Sequence, residues 1–269
     1  MPISSATLAL TLPGVALVTG GASGLGAGIV LAFADLGAKV VIADINLTGA
    51  EKLAETVNAA YPGRALAIRT DVTSISDIKL AVQKTVEHFG RLDYAINSAG
   101  LVVGGKTVTS IPETDEEAYD KIQAVDARGV FFCMKHELQV MLNQEPLSTS
   151  PRSSRGVIIN MASRASLEGV PKFGAYCSAK HAVLGMTRVA AVEHAKDRIR
   201  VVAVCPGLIT TPGHVKAAKE VDDMLLAKVP MSRFGTVDEL IDAITWLCSD
   251  MASYVTGSAF EVDGGCAAI

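Results

Sequence analysis

The sequence has no basic run, no closely paired cysteines, no charged leader and no apolar stretch long enough to cross a bilayer. Each absence excludes a class of function. With a formal net charge of −4 and no cluster of Lys or Arg, the chain offers no matching field to nucleic acid or an anionic membrane surface. The five cysteines (Cys133, Cys177, Cys205, Cys248 and Cys266) are odd in number, widely spaced and never in a C-x-x-C pair. That argues against a disulfide framework and a zinc site, and it suits a reducing compartment. The histidines show no metal-ligand spacing either. Residues 1–14 contain no Lys or Arg, so the charged n-region of a signal peptide is missing. No apolar run nears the roughly eighteen residues of a membrane span. The expectation is a cytoplasmic protein with no nucleic-acid, membrane or metal partner.

What is present is globular: 269 residues, 49% hydrophobic and 19% charged. Such a chain buries about three quarters of its unfolded surface and needs no covalent staple. Short, β-branched apolar runs occur at residues 15–19, 39–43, 64–69, 92–97, 157–161, 200–204 and 258–262. Between them lie amphipathic stretches at 24–36, 48–61, 75–89, 115–142, 174–194 and 237–249, the fourth long enough for one helix or two abutting ones. Alternation of this kind predicts an α/β fold over residues 1–269: a single doubly wound domain, its seven-stranded, mostly parallel sheet covered by helices on both faces. Residues 143–155 (NQEPLSTSPRSSR) read as a surface loop. Residues from about 208 to 230 follow the sixth strand at the carboxyl edge of the sheet, where open α/β folds bind ligands, and are expected to cover a substrate.

The first strand runs into TGGASGLG at residues 19–26 and then into a helix. Glycine there permits a tight turn with positive φ and lets the backbone approach a pyrophosphate. The helix amino terminus then presents free N–H groups and partial positive charge to the anion. Gly20, Ser23, Gly24, Leu25 and Gly26 are therefore candidate cofactor contacts of a Rossmann dinucleotide site. Asp44 ends the second strand twenty residues after Gly24, where a carboxylate accepts hydrogen bonds from an adenosine ribose. A 2′-phosphate would meet its negative charge, and its neighbours Ile45, Asn46 and Leu47 bring no cation. NAD is expected rather than NADP, with Ile45 also at the site.

Tyr176 and Lys180 lie four residues apart on a predicted helix and share a face. A phenol with pKa near 10 is a poor base at neutral pH. An ammonium about 4–6 Å away favours the phenolate and lowers that value. Ser163 ends a strand thirteen residues earlier, where its hydroxyl reaches the same substrate oxygen.

These elements, with Asp71-Val72, NSAG at 97–100, YCSAK at 176–180, PGLITTP at 206–212, Arg233 and VTGSAFEVDGG at 255–265, resemble the short-chain dehydrogenase/reductase family from about residue 13 to 265. The resemblance implies an NAD(P)-dependent oxidoreductase acting on a small, moderately apolar alcohol or ketone. It implies that Tyr176 transfers the proton, that Lys180 lowers the tyrosine pKa and holds the nicotinamide ribose, and that Ser163 positions the substrate oxygen. Asp71 and Val72 would then contact the adenine. Asn97, Ala99, Gly100, Pro206 and Gly207 would line the cofactor, and Ile209 and Thr211 would meet the carboxamide. A homotetramer, or less often a dimer, built on the long helices is implied too. Within the family, the 143–155 loop and the string KHAVLGMTR resemble fungal enzymes of secondary metabolism.

One departure stands out. The family motif V-N-x-x-G reads Val125-Asp126-Ala127-Arg128-Gly129 here. If Asp126 keeps the family asparagine's water through its backbone carbonyl, little changes. If its side chain is ionised and close, it stabilises Lys180 as a cation but opposes the tyrosinate. Asp126 thus joins Ser163, Tyr176 and Lys180 as a catalytic candidate. Two alternatives stay open: a non-redox cyclase, dehydratase or isomerase using Tyr176 as an acid, and a catalytically silent NAD-binding sensor.

Overall fold

The computed structural model describes residues 10–101, 108–210 and 226–268. Seven strands form one parallel sheet in the order β3-β2-β1-β4-β5-β6-β9. They are β1 (Val15–Thr19), β2 (Lys39–Asp44), β3 (Ala65–Arg69), β4 (Tyr94–Asn97), β5 (Gly156–Met161), β6 (Ile199–Pro206) and β9 (Ala259–Val262). A separate two-residue pair, β7 (Ile209–Thr210) with β8 (Gly235–Thr236), lies beyond β6. Every residue of β1, β4 and β5 is buried. Strands covered on both faces read as continuous apolar runs, and this is why the central ones were legible without alternation.

Helices α1 (Gly24–Asp35), α2 (Leu47–Ala60) and α7 (Val237–Cys248) cover one face. There Ile29, Phe33, Ile244 and Leu247 pack on Val18, Val40 and Ile42. Helices α3 (Ile75–Phe89), α5 (Val130–Met141) and α6 (Gly174–His194) cover the other, with Val82, Met134 and Ala191 against Leu17, Val41 and Ile158. The helix boundaries follow from local chemistry. Asn46 caps α2 through the Gly49 N–H, Ser74 caps α3 through Asp77, and Thr236 with Glu239 closes a capping box on α7. Gly90 ends α3 at φ 85°, the left-handed conformation that glycine tolerates. The expected helix over 115–142 is one run with a flaw. It begins as α4 (Glu116–Gln123), widens to a π turn at Ala124–Gly129 and continues as α5.

Residues 143–155 lie on the surface as expected, but they are tied down. The Gln144 side chain bonds both the N–H and the carbonyl of Leu92, Arg91 donates to the Glu145 carbonyl, and Arg198 holds the carbonyls of Ser150 and Ser153. The loop therefore clamps the amino ends of the strands, the side opposite the ligand edge.

Inside the second layer, four elements share one polar chain. Asn97 at the end of β4 donates to Glu137 of α5 and to Asn160 of β5, each at 3.0 Å. Asn160 in turn donates to Thr187 of α6 at 2.9 Å. Glu137 is fully buried, and burial pushes its carboxyl up to about 8, with Asn97 opposing the shift. A folded-state value above the unfolded one means that the folded protein binds the extra proton between about pH 4.5 and 8. Stability therefore falls as pH rises through that window and levels off above it, by roughly 5 kcal/mol at most at about 1.4 kcal/mol per unit. Glu137→Gln, which cannot ionise and offers an N–H to the unpartnered Asn97 oxygen, is expected to remove this slope. Urea unfolding from pH 5 to 9 should show the variant gaining on wild type up to pH 8, and parallel curves would refute the assignment.

Candidate active site

The cleft begins where β1 and its neighbour β4 send their chains to opposite sides of the sheet, the switch point at which open α/β sheets bind ligands. At the end of β1, the Thr19 hydroxyl accepts the N–H groups of Ser98 and Ala99, both at 3.2 Å, and so ties the two strand ends together. Gly20 turns away at φ 65°, and a Cβ there would lie 2.7 Å from the Ala99 Cα. A Cβ on Gly26 would overlap the Gly20 carbonyl. Ser23, extended, makes no side-chain cap on α1, and the first turn carries no acidic residue. The N–H groups at the start of α1 are thus available to an anion, and the bare backbone around them lets a diphosphate come close.

Asp44 closes the next corner. Its carboxylate accepts from Ala22 N–H at 2.9 Å and Asn46 N–H at 2.8 Å, so the acid is aimed by the glycine turn itself. Asp44 pairs in register with Arg69 of β3, yet the Arg69 guanidinium is engaged with Asp77 at 3.0 Å. Asp71 accepts both the N–H and the hydroxyl of Thr73, which fixes the loop after β3.

The opposite wall is built by β5 and α6. Ser163, two residues after β5, begins a short 3₁₀ turn and accepts the Ala165 N–H. Its hydroxyl faces the Tyr176 phenol and pulls that pKa down, but burial wins and pushes Tyr176 up to about 12. Lys180, one turn further along α6, stands with its ammonium 5.5 Å from the Tyr176 ring centroid and donates to the Met161 carbonyl at 3.0 Å. The ammonium lies over the ring, is bound to a backbone oxygen, and has a counter-charge beside it.

That counter-charge is Asp126. The π turn at Ala124–Gly129 carries it to a position with no solvent exposure. Oδ1 accepts the Leu101 N–H at 3.0 Å and lies 3.8 Å from Lys180 Nζ, and Oδ2 has no hydrogen-bond partner among the described residues. Burial raises the Asp126 pKa and lowers that of Lys180, and the attraction between the two opposes both shifts. A Cβ on Gly100 would sit 2.8 Å from Asp126 Oδ1, so glycine at that position makes room for the acid.

A cleft of about 850 Å³ gathers most of the candidates. Gly20, Ser23, Gly24, Leu25, Gly26, Asp44, Ile45, Asp71, Val72, Ala99, Gly100, Asp126, Ser163, Tyr176, Lys180, Pro206, Gly207 and Ile209 all line it. Thr211, with most of the 208–230 segment, falls outside the described residues. Asn97 is the exception among the described candidates: it is 1% exposed, absent from the lining, and spends its side chain on Glu137 and Asn160 behind the wall. Its effect on the cleft runs through the strand end it anchors. Sequence reasoning missed Lys121, Val125, Leu101 and Met161, which also line the cleft. Lys121 and Val125 were discoverable, being four apart on the α4 run that leads to Asp126. Met161 contributes a carbonyl, and a backbone oxygen leaves no sequence signal.

The cleft fits a dinucleotide on its own features: a Cβ-free cradle, an uncapped helix start and an acid at ribose distance in sequence. A family model described as enoyl-(acyl carrier protein) reductase matches residues 20–267. The chain is 38% identical over 256 residues to the 2,5-dichloro-2,5-cyclohexadiene-1,4-diol dehydrogenase of Sphingobium indicum, covering 94% of this chain and 96% of that one. It is 37% identical over 257 residues to the 2-(R)-hydroxypropyl-CoM dehydrogenase of Xanthobacter autotrophicus, covering 95% and 99%. Among solved structures, the 3-ketoacyl-(acyl-carrier-protein) reductase of Brucella melitensis complexed with NADH superposes with a TM-score of 0.83 at 33% identity, covering 96% and 100%.

Two glycines separate backbone strain from close approach. Gly24 has φ 53° with nothing within 4 Å of a built Cβ, whereas Gly20 has both a positive φ and a backbone neighbour. Gly24→Ala is expected to cost only the left-handed penalty of about 1–2 kcal/mol. Gly20→Ala should cost more and weaken dinucleotide binding at least tenfold. Equal losses in urea unfolding and in cofactor titration would show that the approach of Ala99 is not the constraint.

Proposed function

The chain belongs to the short-chain dehydrogenase/reductase family, and from that membership and its cleft we infer that it interconverts a secondary alcohol and a ketone on a small molecule, with Tyr176 as acid and base. The observation that carries this reading is the convergence of Ser163, Tyr176 and Lys180 on one wall of a cleft whose other wall is the glycine turn. The nicotinamide dinucleotide, when bound, supplies or accepts the hydride.

The protein's own residues do the rest. The Ser163 hydroxyl holds the substrate oxygen beside the Tyr176 phenol. Tyr176 gives its proton to a carbonyl oxygen, or takes one from an alcohol. Lys180, fixed by the Met161 carbonyl, stands beside the phenol and holds the ribose hydroxyls. Gly20, Gly24, Leu25 and Gly26 hold the diphosphate against the start of α1, and Val72, Ala99 and Gly100 flank the adenosine half. Pro206, Gly207, Ile209 and Thr211 are assigned to the nicotinamide end, and residues 208–230 to covering a moderately apolar substrate.

NAD is the proposed cofactor. Asp44 is anchored by two N–H groups and cannot easily swing away from a 2′-phosphate, and the nearest cation across the strand, Arg69, is committed to Asp77. We further propose one dinucleotide-binding and catalytic domain, assembled as a homotetramer or dimer through the long helices, in the cytoplasm, with a role in secondary metabolism.

Calorimetry of NAD(H) and NADP(H) binding to wild type and Asp44→Ala tests the cofactor. Wild type should prefer NAD(H) by tenfold or more. The variant should lose that preference, because the carboxylate that repels a 2′-phosphate is gone. Binding of NADP(H) alone to wild type would overturn the assignment. Tyr176→Phe should bind cofactor normally yet lose about 10²–10⁴ in kcat across a panel of secondary alcohols and ketones, the range for a general acid–base group. Substrate turnover with no change in nicotinamide absorbance would overturn the redox reading.

A further inference from the structure

A neutral ion pair buried behind a catalytic tyrosine has a consequence for the direction in which that tyrosine works. Lys180 and Asp126 form such a pair at 3.8 Å, the lysine residue 5% exposed and the acid not at all. From α6, Tyr176 faces the pair, with Cys177 beside the tyrosine; from β6, Cys205 faces Lys180; from β5, the Met161 carbonyl reaches it. Arg128, two residues along the π turn, points away to the Thr73 carbonyl, and Lys121 stands exposed at the cleft rim one turn and more before Asp126. No other cation therefore offsets Asp126 at close range among the described residues.

A lysine alone would stabilise tyrosinate, since an opposite charge favours the ionised form. A lysine already matched by a carboxylate presents the tyrosine with a dipole instead of a charge, and the carboxylate repels the tyrosinate directly. The acid is held there by built features: the inward-turning π turn, the Leu101 N–H and the missing Cβ of Gly100.

We propose that Asp126 is a positioning residue of charge: by balancing Lys180 inside the protein, it keeps Tyr176 a phenol through neutral pH, so that the site donates protons to carbonyls there and accepts them from alcohols only in alkali. This rests on the reading of Tyr176 as the acid and base. In the reductive direction the carbonyl carbon gains a hydride from the reduced nicotinamide dinucleotide and the carbonyl oxygen gains the Tyr176 proton. The tyrosinate left behind is unfavourable next to Asp126 and is promptly reprotonated from solvent. Reduction is therefore the direction this charge arrangement serves, although the acid at Asp44 selects the cofactor more familiar in oxidations.

Asp126→Asn keeps the oxygen that accepts the Leu101 N–H and removes only the charge. The first readout needs neither cofactor nor substrate. Phenolate absorbance is followed with rising pH in wild type and Asp126→Asn, each referenced to the same protein carrying Tyr176→Phe, up to the pH at which circular dichroism changes. Tyr176 is expected to ionise at least one pH unit lower in Asp126→Asn. The acid limb of kcat/KM for alcohol oxidation should move down by the same amount, and the ratio of oxidation to reduction rates at neutral pH should rise about tenfold. If Asp126→Asn does not fold, Asp126→Ser is titrated in the same way. A Tyr176 ionisation that stays put or moves up would overturn the proposal, because it would mean that Asp126 acts by keeping Lys180 charged. Failure to oxidise any alcohol, with the phenolate shift intact, would sink the proposed reaction and leave this inference standing.

Discussion

The carboxyl end of the sheet is organised around one buried ammonium. Lys180 has lost almost all contact with water, and a charge in that state persists only if polar groups replace the solvent. The Met161 carbonyl supplies one replacement, at the cost of fixing the end of β5 relative to α6. Asp126 supplies the other, and reaching it requires a π turn in the α4–α5 run and a residue without a side chain at Gly100. Ser163, Tyr176 and the Gly100 turn inherit their positions from those two constraints. The arrangement trades an isolated, strongly polarising lysine for a balanced pair, while burial first and the Asp126 charge second hold Tyr176 above its ordinary range.

A second buried acid supports the first from behind. Glu137 binds the strand end that leads into Ser98, Ala99 and Gly100, while Asn160, bonded through Asn97, leads into Met161 and Ser163. Thr187 completes the chain on α6, seven residues beyond Lys180. The elements that carry the cleft are thus locked by one polar thread as well as by apolar packing. A polar network in a core is costly if partly satisfied, and the oxygens on Asn97 and Glu137 that find no partner among the described residues mark where it is least satisfied. A neutral, proton-bearing Glu137 is the form that suits such surroundings.

Much of this was legible in one dimension. The strands were readable because a parallel sheet covered on both faces needs unbroken apolar runs, and 15–19 and 157–161 are such runs. The glycine turn was readable because positive φ and close backbone approach both demand glycine, and Asp44 because strand, turn and helix have nearly fixed lengths. The loop at 143–155 was readable as surface but not as a clamp. Its anchors are Gln and Arg side chains bonding carbonyls of residues far away in the chain, and such pairings carry no periodicity. The placement of Asn97 was hidden for a related reason. The family resemblance put it along the cofactor, yet which face its side chain took depended on Glu137, forty residues on.

The amino-acid sequence by itself determined the alternation of strands and helices, the glycine turn after β1, the acid at the end of β2 and the spacing of Tyr176 with Lys180. Each of these is a local matter of backbone freedom, apolar period or helix geometry. Only the tertiary structure decided how the charges in the site balance. Asp126 lies 54 positions from Lys180 in the chain, and whether its carboxylate or only its backbone meets the lysine depends on a π turn, on the missing Cβ of Gly100 and on the depth of burial. Electrostatic effects scale with distance and dielectric, and both exist only once the chain has folded.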